Sequence, residues 1–322
     1  MGGSGSGGRG GSGGEEEEGG LVLVALSGGP DSLALAAATA FEAPRAGIRA
    51  GAVVVDHGLQ AGSADVAAHA ARQARALGLD PVLVRTVAVG TGPGAGGPEG
   101  AARAARYRAF DEARAETGAS HVLVAHTLDD QAETVLLGLA RGSGPASLRG
   151  MAPATGPYLR PLLGIRRQTT HAFCADSGLE PWHDPQNDDP AFTRVRVRRT
   201  VLPMLERELG GGVAEALART AEQLREDSDA LDDMILEFVE EICEPAEAGI
   251  AVSVAALEAN PPALRQRIIR YVVESEFGVS IDRGHTMQVA RLVTDWHGQK
   301  ALDLPGVRVL RVGGLIVFSA AE

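Results

Sequence analysis

The sequence predicts an α/β protein with a doubly wound parallel sheet, followed by a second, smaller α+β domain. Three observations lead to this fold class. Aliphatic runs alternate with helical segments over roughly the first 140 residues, which is the pattern of parallel strands joined by crossover helices. A Gly-rich turn follows the first of these runs. Beyond residue 205 the chain changes to long helices and short apolar segments.

The first domain is predicted at residues 21–205. Uninterrupted apolar runs predict buried strands, and longer segments with apolar residues at helical spacing predict helices. Gly and Pro mark residues 90–97 as a flexible loop and residues 141–157 as an irregular functional loop. The predicted strands are 21–26, 48–55, 81–87 and 121–125, and the predicted helices are 33–38, 64–77, 99–117, 128–139 and 165–177.

Residues 206–322 form the predicted second domain. Apolar residues spaced by three, four or seven from Val213 to Ile242 predict a long amphipathic helix with an acidic outer face. Residues 261–277 and 283–296 predict two more helices. The last apolar segments, at residues 300–318, are interrupted by glycine pairs and turns, which predicts a small antiparallel sheet.

The charge distribution is uneven. A formal net charge of −12 over 322 residues argues against a uniformly basic nucleic-acid binder. Residues 141–200, however, contain nine arginines and five acidic residues, whereas residues 201–260 contain three arginines and fifteen acidic residues. A basic middle followed by an acidic helix is compatible with RNA bound on one face.

The cysteines and the hydropathy of the sequence exclude several further classes of protein. Cys174 and Cys243 lie far apart and in no Cys-x-x-Cys pair, which argues against a disulfide framework, a zinc ribbon and an iron–sulfur set and favours a reducing cytoplasm. No apolar run approaches the ~18 residues of a membrane span. Residues 1–20 are rich in Gly and Ser and contain four consecutive glutamates, so we predict a disordered tail rather than a signal peptide.

The turn after the first strand predicts a phosphate site. Small residues between a strand and a helix let backbone N–H groups at the positive end of the helix dipole approach an anion. The turn lacks the Gly-Lys-Ser/Thr ending of a Walker loop, and Lys300 is the chain's single lysine. The alternative is an ordinary tight turn capped by Asp31 or Ser32. The residues of this turn are Ser27, Gly28, Gly29, Pro30, Asp31 and Ser32.

Two further polar segments follow predicted strands. Asp56 and His57 come after the second strand, and residues 126–130 come after the fourth. Ligands of doubly wound sheets bind beyond the carboxyl ends of the strands, so we expect all three segments at one edge. The alternative for a single histidine such as His57 is a capping or hydrogen-bonding role.

The segment from His126 to Thr134 predicts a metal site. Asp129 and Glu133 are four residues apart on a predicted helix, and Asp130 is three before Glu133. Carboxylates beside a phosphate site favour Mg²⁺, which prefers oxygen ligands. An acidic first turn that complements the helix dipole is the alternative.

Two groups of arginines are candidates for binding phosphate or RNA. Arg103 and Arg106 share a predicted helix, where a solvated basic face is the alternative. Residues 194–199 include four arginines, which repel one another unless an anion or acidic surface meets them. If this segment is extended, its alternate positions share one side, with Val195 and Val197 facing inward. The arginines on that side are Arg194, Arg196 and Arg198.

Together these motifs resemble the tRNA(Ile)-lysidine synthetases of the N-type ATP pyrophosphatase (PP-loop) group, and the resemblance covers nearly all of residues 21–205. The turn matches the SGGxDS loop of that group. In chain order, the other matching segments are Asp56-His57-Gly58-Leu59, Pro98 to Tyr107, His126 to Thr134, Arg160-Pro161-Leu162-Leu163, and Asp184 to Pro203.

The resemblance implies a reaction. ATP adenylates carbon 2 of the wobble cytidine in the CAU anticodon of a tRNA(Ile), pyrophosphate leaves, and the amine of free L-lysine displaces AMP. It implies ATP and Mg²⁺ as cofactors, tRNA(Ile) and L-lysine as partners, no membrane, and residues 206–322 as a tRNA-binding extension. A homodimer is a further possible partner relation.

The resemblance also implies roles for residues of this sequence. The acidic motif holds Mg²⁺ through Asp129 and Asp130, or one of its carboxylates orients the ammonium of lysine. The implied catalytic residues are Asp31, Asp129, Asp130, Glu133 and Arg106; the nucleotide-binding residues are Ser27 to Ser32, Asp56, His57 and His126; the tRNA-binding residues are Arg103, Arg194, Arg196 and Arg198.

Three other functions stay open on the sequence. A PP-loop tRNA thiolase needs cysteine or an iron–sulfur cluster, and the spacing of Cys174 and Cys243 suits neither. A small-molecule adenylating or amidating enzyme of the same fold does not need the arginines of residues 194–199. A regulatory nucleotide-binding protein does not need a complete Ser27 to Ser32 loop.

Overall fold

The computed structural model describes residues 19–58, 62–88, 97–142, 144–246 and 249–321. The predicted tail, apart from Gly19 and Gly20, and most of the predicted loop at 90–97 lie outside these residues. The chain divides into two compact units, residues 1–221 and 222–322. The division falls within the long predicted helix rather than at residue 205.

The first unit contains a six-stranded sheet with the order β3-β2-β1-β4-β6-β5. Neighbouring strands are parallel except for β5, which runs antiparallel to β6 at one edge. This arrangement confirms the predicted doubly wound sheet. The strands are β1 (Leu21–Ala25), β2 (Arg49–Asp56), β3 (Val82–Thr86), β4 (His121–Leu123), β5 (Ala154–Thr155) and β6 (Tyr158–Leu159).

Alternate residues of β1 face opposite sides of the sheet. Val22 and Val24 join one buried cluster, and Leu21 and Leu23 join another. Both faces are therefore covered, which explains why the strand is a continuous apolar run. The helices of this unit are α1 (Pro30–Glu42), α2 (Ser63–Ala76), α3 (Gly97–Thr117), α4 (Leu128–Ala140), α5 (Pro145–Leu148), α6 (Arg167–Asp176), α7 (Thr193–Arg196) and α8 (Leu202–Leu209).

The arginine-rich segment is helical, so the extended conformation in which Arg194, Arg196 and Arg198 would share one side is not formed. Helix α7 continues through a π-helical turn, Val197–Val201, into α8. Val195 and Val197 are buried as predicted. Because helical residues four apart share a face, Arg194 and Arg198 point together, while Arg196 points elsewhere.

The second unit combines helices with an antiparallel sheet of order β7-β8-β11-β10-β9. The prediction of a small C-terminal sheet is confirmed, and two strands that precede it in the chain complete it. Its helices are α10 (Val254–Ala259), α11 (Pro262–Phe277) and α12 (Arg283–Thr294); α9 (Val213–Ile242) enters it from the first unit. Its strands are β7 (Cys243–Ala246), β8 (Gly249–Ser253), β9 (Leu302–Leu304), β10 (Val307–Val312) and β11 (Leu315–Ala320).

A separate apolar core holds the second unit together. It includes Ile235 of α9, Ile268 of α11 and Phe318 of β11, each almost fully buried. Among the helices that the structure describes, none is long and apolar enough to cross a membrane.

Candidate active site

Three polar segments lie at one edge of the first sheet. Strands β2, β1 and β4 are adjacent and parallel, so the segments that follow them leave the sheet at the same end. The chain order of the strands reverses between β1 and β4. A crevice at such a point is where doubly wound sheets bind nucleotides.

The segment after β1 is a compact turn. Gly28 has φ of +85°, a conformation that glycine adopts without strain. The hydroxyls of Ser27 and Ser32 lie 3.0 Å apart, and the Ser32 hydroxyl donates to the Gly29 carbonyl over 2.9 Å. Gly29 precedes α1 without a side-chain cap, so the alternative of a helix capped by Asp31 or Ser32 is not what the structure shows.

Asp31, in the first turn of α1, faces helix α6. The Thr170 hydroxyl donates a hydrogen bond to Asp31 Oδ1, and Arg167 Nε lies 3.6 Å from Asp31 Oδ2. Burial nevertheless raises the pKa of the Asp31 carboxyl above its ordinary value. The cost of removing the charged carboxylate from water exceeds the stabilisation that Thr170 and Arg167 give to it.

The segment after β2 contacts helix α3. Asp56 accepts a hydrogen bond from the Gly58 N–H over 2.9 Å, and this bond lowers the pKa of the Asp56 carboxyl. His57 Nε2 accepts from Arg106 Nε over 3.2 Å. Burial and the Arg106 charge lower the pKa of His57, which keeps the imidazole neutral and able to accept this bond. His57 and Arg106 are thus brought together.

The segment after β4 begins with His126, whose pKa burial lowers to about 4. Next comes a capping box at the start of α4. The Thr127 N–H and hydroxyl donate to Asp130 Oδ2 over 2.9 and 2.8 Å, and the Asp130 N–H donates back to the Thr127 hydroxyl over 3.4 Å. This satisfies two orphan donors at the helix start and fixes the Asp130 side chain.

Asp129 holds the start of helix α6. Its Oδ2 accepts from the Arg167 backbone N–H over 2.7 Å and from Arg166 Nε over 3.2 Å, while its Oδ1 accepts from Arg166 Nη2 over 3.0 Å. These bonds lower the pKa of the Asp129 carboxyl, although burial opposes them. Arg166 Nη1 also pairs with Glu215 over 2.6 Å.

Glu133 is fully buried and is contacted by three guanidinium groups. Arg198 Nε lies 2.8 Å and Arg167 Nη1 3.1 Å from Glu133 Oε1, and Arg194 Nε lies 2.9 Å from Oε2. The predicted acidic partner of Arg194 and Arg198 is therefore Glu133. Arg167 and Arg198 also reach Asp130 Oδ1, over 2.8 and 3.4 Å.

Arg166 and Arg167 are site residues that the sequence analysis missed. Arg167 contacts carboxylates on two helices, Asp31 of α1 and Asp130 and Glu133 of α4. Their signal in the sequence is weak: two adjacent arginines shortly after Arg160-Pro161-Leu162-Leu163. With these two included, four arginines face the four carboxylates of the cluster.

As arranged, the carboxylates do not fit a divalent metal. Both oxygens of Asp129 and both of Asp130 already accept hydrogen bonds, mostly from arginine. In the described part of the chain, no group of three or more His, Cys, Asp or Glu side chains is placed to hold an ion. Asp129 and Asp130 as metal ligands stay a prediction.

Two of the predicted RNA-binding arginines lie outside this cluster. Arg103 Nη2 donates to the Tyr107 hydroxyl over 3.3 Å, and its guanidinium covers the Tyr107 ring. Arg196 Nη1 donates to the carbonyls of Pro190 and Ala191 over 2.7 and 2.8 Å. Arg103 and Arg196 are both exposed to solvent.

A cavity of about 500 Å³ opens beside the cluster. Asp129, Arg166 and Arg198 line one part of it, and Leu202, Pro203, Glu206 and Arg207 line the rest. Because its walls include carboxylates as well as arginines, it suits a ligand with both charges or a polar chain.

Comparisons with known proteins identify the fold and the family. Residues 14–205 match the model of an ATP-binding PP-loop domain, and residues 253–315 match the model described as the TilS substrate binding domain. Among solved structures, a U34-tRNA thiolase, NcsA from Methanococcus maripaludis with its [4Fe-4S] cluster, aligns with a TM-score of 0.52 and 19% identity over 64% of this chain and 72% of that one. That likeness concerns the fold alone.

Curated relatives are much more similar. The tRNA(Ile)-lysidine synthase of Leifsonia xyli subsp. xyli is 70% identical over 93% of this chain and 90% of its own length. Those of Thermobifida fusca and Mycobacterium tuberculosis are 52% and 51% identical over 94% and 86% of this chain and 92% and 82% of their own lengths. The chain belongs to the tRNA(Ile)-lysidine synthase family of PP-loop proteins.

Proposed function

We propose that this protein joins free L-lysine to carbon 2 of the wobble cytidine in the CAU anticodon of tRNA(Ile), using ATP and forming lysidine through an adenylated tRNA. The observation that carries the proposal is the 70% identity to a curated tRNA(Ile)-lysidine synthase over 93% of the chain. The turn from Ser27 to Ser32, at the crevice between β1 and β4, agrees with it.

The turn after β1 suits the leaving pyrophosphate. Backbone N–H groups in the first turn of α1, which no side chain caps, and two hydroxyls 3.0 Å apart can donate hydrogen bonds to phosphate oxygens. Donors held in place before the reaction stabilise charge as it develops. We assign ATP binding to Ser27 through Ser32, with Asp56, His57 and His126 at the same edge of the sheet.

Mg²⁺ belongs to the proposal as the ion that accompanies ATP. It commonly takes its ligands from phosphates and water with one or two carboxylates, and it would neutralise charge on the pyrophosphate. No role in the cluster of Asp129 and Asp130 is built on it here, because arginines occupy those carboxylates.

The carboxylates of α4 suit the lysine substrate. An ammonium group needs the same acceptors that now receive guanidinium groups, so lysine binding at Asp130 or Glu133 would replace an arginine contact. The cavity beside Asp129 and Arg198 could admit an amino acid, whose ammonium and carboxylate need partners of opposite sign.

Exposed arginines suit the RNA. Arg103 and Arg196 are exposed and can reach phosphates, whereas Arg194 and Arg198 bind Glu133 and act on the substrate only from the cluster. Arg106, beside His57, is assigned to the adenylate. We further propose that the protein acts in the cytoplasm. Whether two copies of the chain form a homodimer can be measured by light scattering.

A thiolase is the competing function. Cys174 is buried, with its thiol donating to the Pro30 carbonyl over 3.3 Å, and burial raises the pKa of both Cys174 and Cys243. A raised pKa suppresses the thiolate that sulfur transfer needs. Replacing both cysteines by serine should therefore leave activity in place, and complete loss would favour the thiolase.

The decisive experiment supplies purified protein with ATP, Mg²⁺, radiolabelled lysine and tRNA(Ile) bearing CAU. We expect pyrophosphate release and lysine incorporation that both depend on the tRNA. Pyrophosphate release at the same rate without tRNA would contradict an RNA substrate and favour a small-molecule adenylating enzyme.

Site variants extend this assay. We expect Ser32→Ala and Asp130→Asn to abolish adenylation, because the first removes a phosphate donor and the second alters the fixed carboxylate. Asp176→Asn, an exposed change at the end of α6, is the matched control and should retain turnover. Wild-type rates in both site variants would remove these residues from the site.

A further inference from the structure

The second unit presents a tryptophan at the end of an ordered helix. Trp296 lies just after α12 and is 39% exposed. The residues around it are tied by local bonds: the His297 N–H donates to Gln299 Oε1 over 2.9 Å, and Gln299 Nε2 donates to the Asp295 carbonyl over 2.6 Å. The segment that carries the indole is thus ordered at the surface, and part of the tryptophan stays accessible to a ligand.

Arg311 of β10 is fixed against this indole. Its guanidinium carbon lies 5.2 Å from the Trp296 ring centroid, and Nη1 and Nε donate to the carbonyls of Leu292 and Gly313 over 2.8 and 3.3 Å. These bonds use two of the five N–H donors of the group. The other donors and the full charge stay available in a geometry that needs little further ordering.

The distribution of charge along the sequence of the second unit favours a polyanion near its C-terminal end. Residues 283–321 contain five arginines or lysines and two acidic residues, whereas residues 222–258 contain one arginine and twelve acidic residues. A basic region in an otherwise acidic unit attracts a polyanion to one place and repels it from the rest.

We propose that Trp296 and Arg311 form a nucleotide-contact site for the tRNA, where the indole stacks on a base or ribose and the guanidinium binds a neighbouring phosphate. The inference rests on the proposed function, because that function supplies the RNA. Unpaired bases stack on aromatic rings and arginine planes in RNA-binding proteins, and Trp296 and Arg311 present both in contact.

The test compares four variants in tRNA(Ile) binding. We expect Trp296→Ala to raise the Kd about tenfold, within the range for loss of one stacked base, and Trp296→Phe to recover most of the affinity. Arg311→Ala should weaken binding and also reduce the slope of log K against log salt by about one, as expected for one lost phosphate contact.

Arg308→Ala is the matched control. Arg308 lies on the same strand, three residues away and therefore on the opposite face, where it is paired with Asp303 over 4.0 Å. The Arg308→Ala variant removes the same charge as Arg311→Ala, but from a face that does not carry Trp296, so its Kd and salt slope should stay near those of wild type. Equal effects of the two arginine variants would reduce the site to general attraction and overturn the proposal.

Fluorescence gives a direct readout. The chain has two tryptophans, so Trp182→Phe leaves Trp296 as the single emitter, and the Trp182 backbone bond to Gly28 is kept. We expect saturating tRNA to quench this emission. Binding without a change in emission, or an unchanged Kd in a folded Trp296→Ala variant, would overturn the inference about Trp296 and leave the proposed function standing. If the wild type bound no tRNA even at low salt, the proposed function would fail as well.

Discussion

Glu133 is the residue on which the arginines of the site converge, and its removal should be costly. We expect Glu133→Ala to lower the free energy of unfolding by about 3 kcal/mol, because breaking a buried ion pair leaves unmatched charge behind. The side chain has no exposed surface, and Arg167, Arg194 and Arg198 would lose a shared partner. Urea denaturation measures the change.

Glu215→Ala is the control for this prediction. Glu215 pairs with Arg166, but both side chains are more than a third exposed, 35% and 38%. Exposed pairs contribute about 1 kcal/mol or less, so the loss should be small. Similar losses in the two variants would show that burial does not strengthen the Glu133 cluster.

Asp31 and Asp56 should respond to pH in opposite directions. Burial raises the pKa of Asp31 above 3.8, so around that pH the folded state binds more protons than the unfolded state. Stability therefore falls as the pH rises from the unfolded pKa of 3.8 through the higher folded pKa. The pKa of Asp56 is lowered, so its stabilisation is present above its unfolded pKa of 3.8 and is lost as the pH falls through its folded value.

Two variants test this at pH 7. Asp31→Asn should raise the unfolding temperature while abolishing adenylation, and its advantage should shrink as the pH approaches 3.8. Asp56→Asn should lower the unfolding temperature at pH 7. Thermal unfolding at several pH values measures both, and a shift of the same sign in the two variants would contradict the assigned directions.

The residue types at the site were predictable, but their partners were not. Asp129, Asp130 and Glu133 follow a strand in a recognisable spacing. Arg166 and Arg167 approach them only because α6 packs against α1, and no local pattern encodes that contact. The sequence accordingly favoured a metal beside carboxylates that the structure pairs with arginine.

At the scale of elements, the turn between β1 and α1 depends on one glycine. Gly28 has φ of +85°, and a Cβ there would lie 3.4 Å from the Ala70 Cβ. We expect Gly28→Ala to cost about 1 to 2 kcal/mol of backbone strain and to impair pyrophosphate exchange, because the turn must shift. Urea denaturation and an exchange assay measure the two effects.

Gly142→Ala separates strain from function. Gly142 has φ of +62°, with no atom within 4 Å of an added Cβ, and it lies at the end of α4. It should lose similar stability and keep pyrophosphate exchange. If Gly28→Ala also kept exchange at the wild-type rate, the turn would not be the pyrophosphate site.

Long elements were predictable because their patterns are long. The stripe from Val213 to Ile242 corresponds to α9 residue for residue, and β1 to β4 lie where apolar runs predicted them. β5 and β6 have two residues each, too few for a periodic pattern. The helix at 194–199 could not be predicted because alternating Arg and Val also suits a strand, whereas tertiary packing buries both valines from a helix.

At the scale of the whole molecule, chemistry and charge are divided along the chain. The turn, the carboxylates and their arginines all belong to residues 1–221, whereas Trp296 and Arg311 belong to residues 222–322. The acidic segment at 222–258 lies between them in sequence and should repel RNA. Binding of ATP and binding of tRNA should therefore protect different segments of the chain from hydrogen exchange.

Hydrogen exchange measured with each ligand can distinguish these two protection patterns. We expect ATP to slow exchange mainly at residues 27–32, where backbone N–H groups would bind phosphate, and tRNA to slow exchange also at residues 294–300 and around Arg311. Asp31→Asn should lose the ATP effect at residues 27–32 and keep the tRNA effect at residues 294–300 and around Arg311, because only tRNA contacts the second unit in this proposal. If tRNA protected residues 222–258 instead, or nothing beyond residue 221, the second unit would not bind RNA through its basic end, whatever the first unit does with ATP.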